Sequence, residues 1–137
     1  MRTARLKTPL RTLPILLLGL ILVTSAGCRR HRNDPHSVEV PWSFHVDARL
    51  VDYNDTDAYE WETYRDWATV EFEAFDFWGE IVVQIWDDHD ELIFERAYIG
   101  NGGDLYALED TLDGDEGDWY IVITHYDVDG YVDLDIF

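Results

Sequence analysis

Residues 44–50 read Phe-His-Val-Asp-Ala-Arg-Leu, with Phe44, Val46, Ala48 and Leu50 on one parity and His45, Asp47 and Arg49 on the other. Successive side chains of an extended chain point to opposite faces, so this alternation marks a strand with one face in a core and one in water. The same pattern recurs where Val70, Phe72 and Ala74 alternate with Thr69, Glu71 and Glu73, and where Val132, Leu134 and Ile136 alternate with Tyr131, Asp133 and Asp135. Two further runs, residues 81–86 (IVVQIW) and 119–124 (WYIVIT), are apolar on both parities and too short for typical helices. They are expected to be central strands. Residues 92–94 (LIF) and 59–63 (YEWET) are weaker strand candidates. Residues 87–90, 100–103, 113–117 and 127–130 are rich in Asp, Asn and Gly, which tolerate turn geometry. The last of these turns is expected to join 119–124 to the C-terminal strand as a hairpin. Seven or so strands with almost no helix predict an all-β chain, a small antiparallel β-sandwich with a small β-barrel as the alternative.

Composition agrees with one such domain. The chain has 137 residues, 47% hydrophobic and 28% charged, which excludes collagen-like, low-complexity and wholly disordered classes. Its 10 basic against 29 acidic residues give a formal charge of −19, which excludes binding to nucleic acid phosphates and makes any charged partner a cation. The part beyond residue 36, about 100 residues, is long enough to bury a core without disulfides.

The first 27 residues read as an export signal. Arg2, Arg5, Lys7 and Arg11 precede an apolar run, residues 13–23 (LPILLLGLILV), and the small residues Thr24, Ser25, Ala26 and Gly27 follow it. The run is shorter than the roughly 20 residues a permanent transmembrane helix needs. Cys28 is the single cysteine, so no intramolecular disulfide can form. Ser25-Ala26-Gly27-Cys28 resembles the bacterial lipobox, departing from it at Ser25, where leucine is usual. That resemblance implies cleavage before Cys28 and acylation of it, palmitate included. Several acyl chains would hold the protein on a membrane, since one chain alone gives only marginal binding. Arg29, rather than an aspartate, follows the cysteine, which in proteobacterial systems implies outer-membrane or surface delivery.

Removal of the signal leaves six arginines and no lysine against 29 acidic residues, a formal charge of −23. The expected organisation is a signal peptide over 1–27, a disordered tether over 28–36 and a β-sandwich domain over 37–137. From residue 59 onward the order GEIVVQIW, acidic turn, strand, glycine-rich loop, GDWYIVI and Gly-Tyr-Val strand resembles small secreted bacterial β-sandwich lipoproteins of uncharacterised function.

Chemistry is sparse in the folded part. Calcium takes six to eight oxygens, and the candidates are the clustered carboxylates of Asp113, Asp115, Glu116, Asp118, Asp127 and Asp129. No cluster fits an EF-hand: with Gly130 in the loop's glycine position, His125 and Ile136 stand where carboxylates are required. Turn formation on an acidic surface is the competing reading of these residues. His89 and His125 lie beside aspartates and are the candidates for a transition metal. Trp61, Trp67 and Trp78 are the candidates for an aromatic platform that binds glycan. The folded part has no cysteine or lysine, and its serines, Ser37 and Ser43, sit in no nucleophile elbow. The sequence therefore predicts a membrane-anchored, extracytoplasmic, non-catalytic module that binds or supports envelope proteins or glycans, without a cofactor unless calcium. Outward Glu71, Glu73, Asp133 and Asp135 are expected to put like charges on neighbouring strands.

Overall fold

The computed structural model describes residues 33–137, the side chains of 110–112 excepted. The signal peptide, Cys28 and residues 28–32 of the expected tether lie outside the described residues. Six strands follow in order: β1 (His36–Val40), β2 (Ser43–Tyr53), β3 (Thr56–Thr63), β4 (Trp67–Trp86), β5 (Leu92–Asp113) and β6 (Gly117–Ile136). All pairings are antiparallel, in the order β1-β2-β6-β4-β5, with β3 also on β6. No helix occurs among the described residues. The chain is an all-β sandwich made from one sheet folded across its own strands.

The fold across the strands explains strands of 20 to 22 residues in so small a domain. β2 pairs with the C-terminal half of β6 (Phe44↔Ile136 to Tyr53↔Val128) and β3 with its N-terminal half (Thr56↔Thr124 to Thr63↔Gly117), so β2 and β3 form one bent course. At the bend a belt of residues with positive φ crosses the sheet: Asp52 (48°), Asp127 (50°), Asp76 (52°), Gly79 (94°), Gly102 (91°) and Gly130 (131°). Register shifts coincide with it between Leu50 and Tyr53 and between Phe75 and Glu80. Each is a bulge, where an extra residue in a left-handed conformation turns the strand. The first layer then holds β1, β2 and the halves of β6, β4 and β5 around residues 130–136, 67–75 and 103–113. The second holds β3 and the complementary halves.

The core lies between the layers. Phe72 of the first stacks on Tyr98 of the second with centroids 4.0 Å apart, and Phe44 meets Tyr59 edge-on at 5.2 Å. Trp61 and Trp119, both fully buried, cross at 82°. One open side is tied by Trp61 Nε1, which donates to the Val40 carbonyl at 2.7 Å, and by Thr63 Oγ1, which donates to that of Pro41. The other is spanned by the ion pair of Arg96 with Glu109 at 3.2 Å. Among the described residues β1, β3 and β5 each pair on one side only, so the sheet stays open and does not close into the barrel given as the alternative.

Two sequence expectations are corrected. Residues 100–103 and 127–130 are not turns between strands but lie inside β5 and β6, at the bend. Consequently 119–124 and 131–136 are two halves of one strand, not a hairpin, and the buried row Val132, Leu134, Ile136 pairs with β2 and β4 instead. Asp and Gly supply positive φ to bulges as well as to turns, which is why composition alone misassigned them. Order also begins before residue 37. His36 opens β1, and Asn33 docks on β2: its Nδ2 donates to the Val51 carbonyl at 3.0 Å, and its Oδ1 accepts from Val51 N–H at 2.8 Å.

Candidate functional site

The outer face of the first layer is a carboxylate ladder. Cross-strand register sets His45 beside Asp135 and Asp135 beside Glu71, and in the next row Asp47 beside Asp133 and Asp133 beside Glu73. The expected like charges on neighbouring strands are present in the fold, an arrangement that is destabilising where they stand directly opposite. His45 stands at its β2 end. Nδ1 lies 3.0 Å from Asp135 Oδ1 and 3.4 Å from Asp133 Oδ1, while Nε2 lies 3.6 Å from Asp47 Oδ1. Tyr131 donates weakly from its hydroxyl to Asp47 Oδ2 and Asp133 Oδ2, both at 3.4 Å. Asp133 Oδ1 is shut off from solvent and has no hydrogen-bond partner among the described residues. Burial would lower the His45 pKa, but the Asp135 hydrogen bond and the charges of Asp135, Asp133 and Asp47 raise it overall. Burial first, then the charges of Asp135 and Asp47, push the Asp133 carboxyl up against the opposing pull of His45.

A second polar group interrupts the core beside the bend. His125 is buried, its ring edge-on to Tyr53 at 4.9 Å and its Nδ1 3.3 Å from the Asp55 carbonyl and 3.6 Å from Asp57 Oδ2. Tyr53 donates from its hydroxyl to Asp57 at 3.2 Å. Burial lowers the His125 pKa and raises that of Asp57, and burial together with Asp57 takes Tyr53 up to about 12. His125 and Asp57 line a cavity of about 20 Å3 whose other walls include Pro35, Val46, Val83 and Leu134. That is room for about one water molecule and no organic substrate.

The structure separates the carboxylates proposed for calcium. Asp113, Asp115, Glu116 and Asp118 surround the β5–β6 turn, whereas Asp127 and Asp129 lie in the bend, with about 30 Å of strand between Asp118 and Asp127. Aspartates of the turns and of the bend accept hydrogen bonds from the chain itself. Asp87, which sequence reasoning placed in a turn, accepts from the N–H groups of His89 and Glu91 at 3.0 Å and of Asp115 at 3.2 Å, tying the β4–β5 and β5–β6 turns together. Asp88 accepts from Asp118 N–H, Asp129 from Asp52 N–H, and Asp127 from the Asn54 amide. His89, with Nδ1 3.1 Å from Asp115, is on the exposed flank of the Asp87 knot.

The three tryptophans proposed as a platform are also apart. Trp61 is a core residue. Trp67 and Trp78 are exposed, but eleven positions of β4, about 36 Å of strand, separate them. The Arg65 guanidinium covers Trp67 at 4.9 Å, and the Trp78 indole lies against the backbone of Gly102, where a Cβ would come within 2.3 Å of the ring.

The outer face of the second layer contrasts with the first. Val82, Trp86, Ala97, Ile99, Tyr120 and Val122 fall on outward positions of β4, β5 and β6, because the core takes the alternate ones, Ile81, Val83, Ile85, Tyr98, Trp119 and Ile121. The runs IVVQIW and WYIVIT thus carry Val82, Trp86, Tyr120 and Val122, together with the polar Gln84 and Thr124, on a face that no described residue covers. Glu60, Glu62, Glu80, Glu95 and Asp118 surround that face, and no described residue on it is basic. Sequence reasoning found these runs but not their uncovered side, and it missed the His45 group, whose members are 90 positions apart and meet only through the β2–β6 register. Comparison of the chain with protein-family models, with curated proteins and with solved structures finds no match, so the residues and their geometry carry the functional reading.

Proposed function

We propose that this chain is a lipid-anchored, extracytoplasmic module of a bacterial envelope, non-catalytic, which docks on an envelope protein through the outer face of its second layer. The carrying observation is the cluster of Val82, Trp86, Tyr120 and Val122 on the outward side of residues 81–86 and 119–124, which Gln84 and Thr124 share. Strands that read apolar on both parities are found where both faces of a sheet are covered, and here the core covers one. The four strands of this layer, about 30 Å long and 4.8 Å apart, offer an outer face of roughly 570 Å2, polar positions included, against the roughly 800 Å2 that a standard interface takes from each partner. The acidic rim specifies a partner with an apolar patch bordered by lysine or arginine, and it disfavours anionic lipid as the cover. Lipidation at Cys28 supplies the location. The test is a paired one. Cys28→Ser should move the protein from the membrane to the soluble fraction. Val82→Glu with Val122→Glu should leave it folded and membrane-bound but shift it, on native gels of mild-detergent extracts, from a complex to the size of the free chain. Wild-type protein that already migrates as a free chain contradicts the docking reading, and an unacylated N-terminus other than Cys28 contradicts the anchor.

A further inference from the structure

The opposite layer carries a group that docking does not use. We propose that His45 Nδ1, Asp133 Oδ1 and Asp135 Oδ1 bind one divalent transition-metal ion, of which zinc is the representative, leaving its fourth position open to solvent or a ligand. The three atoms lie within 4.8 Å of one another. Tetrahedral zinc with bonds of 2.0 to 2.1 Å has ligand-to-ligand edges of about 3.4 Å, and the histidine nitrogen is 3.4 Å from one carboxylate oxygen and 3.0 Å from the other. On the Asp135 edge an ion needs an opening of a few tenths of an ångström, and Asp135 is the more exposed of the two aspartates.

The surroundings support the three atoms. Asp47 faces Nε2 of the same ring, as the carboxylate does behind a metal-bound histidine, which leaves Nδ1 for the ion. Tyr131 holds the other oxygen of Asp133. Asp133 Oδ1 itself, screened from water and without a donor among the described residues, is a lone-pair site 3.4 Å from His45 Nδ1. Burying such an oxygen unpaired is costly, and a metal bond removes that cost. One imidazole with carboxylates selects a borderline first-row ion over calcium, which takes six to eight oxygens. The other histidine–carboxylate group, Asp87, His89 and Asp115, differs in the respect that matters: three backbone N–H groups already occupy the Asp87 oxygens.

Titration calorimetry of the full chain in detergent micelles, stripped with chelator and titrated with zinc chloride or calcium chloride, tests the site. One zinc per chain is expected, with calcium at least 100-fold weaker. His45→Ala and Asp135→Asn, both changes at partly exposed positions, should each weaken zinc by 100-fold or more. Asp47→Asn should weaken it 10- to 100-fold through the orientation of the ring. His89→Ala should leave it unchanged. Cobalt in place of zinc should give the visible absorption of a four-coordinate ion in wild type and lose it in His45→Ala, a readout independent of heat. Absence of zinc binding to wild type, zinc binding that survives both His45→Ala and Asp135→Asn, or calcium bound as tightly as zinc would each overturn the site. The docking face lies on the other layer, so these outcomes leave that reading untouched.

Discussion

Gly79→Ala should cost the domain a large share of its stability, although it adds one methyl group to a strand. Gly79 sits in the bend of β4 at φ +94°, and a Cβ there would lie 2.4 Å from the Asp127 carbonyl oxygen, 2.6 Å from that of Tyr126 and 2.9 Å from the Asp127 carbonyl carbon. All three are main-chain atoms of β6, held by the ladder on either side, and none can rotate away as a side chain would. The left-handed backbone costs an L residue about 1–2 kcal/mol, and overpacking against fixed atoms adds about 1–3 kcal/mol. The expected loss is therefore about 2–5 kcal/mol out of a total of roughly 5–15 kcal/mol for a domain of this kind. Gly103, beside that belt on the neighbouring strand, is the internal control: its φ is not positive and the nearest atom to a Cβ is Asn101 Oδ1 at 3.7 Å. Gly103→Ala should stay within about 0.5 kcal/mol of wild type. Urea denaturation with a tryptophan fluorescence readout measures both variants. If Gly79→Ala loses no more stability than Gly103→Ala, the bend is not built as described and the folded-over sheet is refuted.

Other consequences concern charge. Asp87→Asn should lose roughly 2 kcal/mol, because the carboxylate accepts three backbone N–H groups across two turns. Burial would raise the Asp87 pKa, but those three donors lower it overall. A depressed folded pKa means the contribution is full above the ordinary carboxylate value near 4 and is lost as pH falls through the folded value. Melting curves from pH 6 down to 2 should therefore show a steeper acid limb in wild type than in Asp87→Asn, and parallel limbs would contradict the assignment. Sodium chloride should raise the melting temperature between 0.01 M and 1 M as the Debye length falls from about 30 Å to 3 Å, since Glu71 faces Asp135 and Glu73 faces Asp133. A melting temperature that stays level or falls would mean these carboxylates do not repel as their register demands.

The sequence exposed the parities of the strands and hid their partners. Phe44 to Leu50 in alternation, or Val132, Leu134 and Ile136, can be read as one-sided strands from spacing alone, because the core face is a local property of each strand. The bend could not be read in this way. Asp127-Val128-Asp129-Gly130 has the composition of a hairpin turn and the conformation of a bulge, and the choice between them depends on what β2 and β4 do opposite it. The same holds for the candidate sites. Asp113, Asp115, Glu116 and Asp118 are adjacent in sequence and were visible, whereas His45 and Asp135 meet only once β2 lies on β6. Trp61 and Trp78 look alike as letters, yet one closes the core and the other stands on the bend. The apolar runs 81–86 and 119–124 were legible as central strands, which they are, and their second face, covered by no described residue, became visible only with the topology.

Hydroxyl-radical footprinting of the chain in its native membranes, against the same chain purified in detergent, tests the docking face most directly. Trp86, Tyr120 and Ile99 on the second layer should lose reactivity in membranes, while Trp42 and Tyr106, exposed elsewhere, should react equally in both preparations. Equal labelling of Trp86, Tyr120 and Ile99 in the two preparations would show that nothing covers this face and would contradict the account.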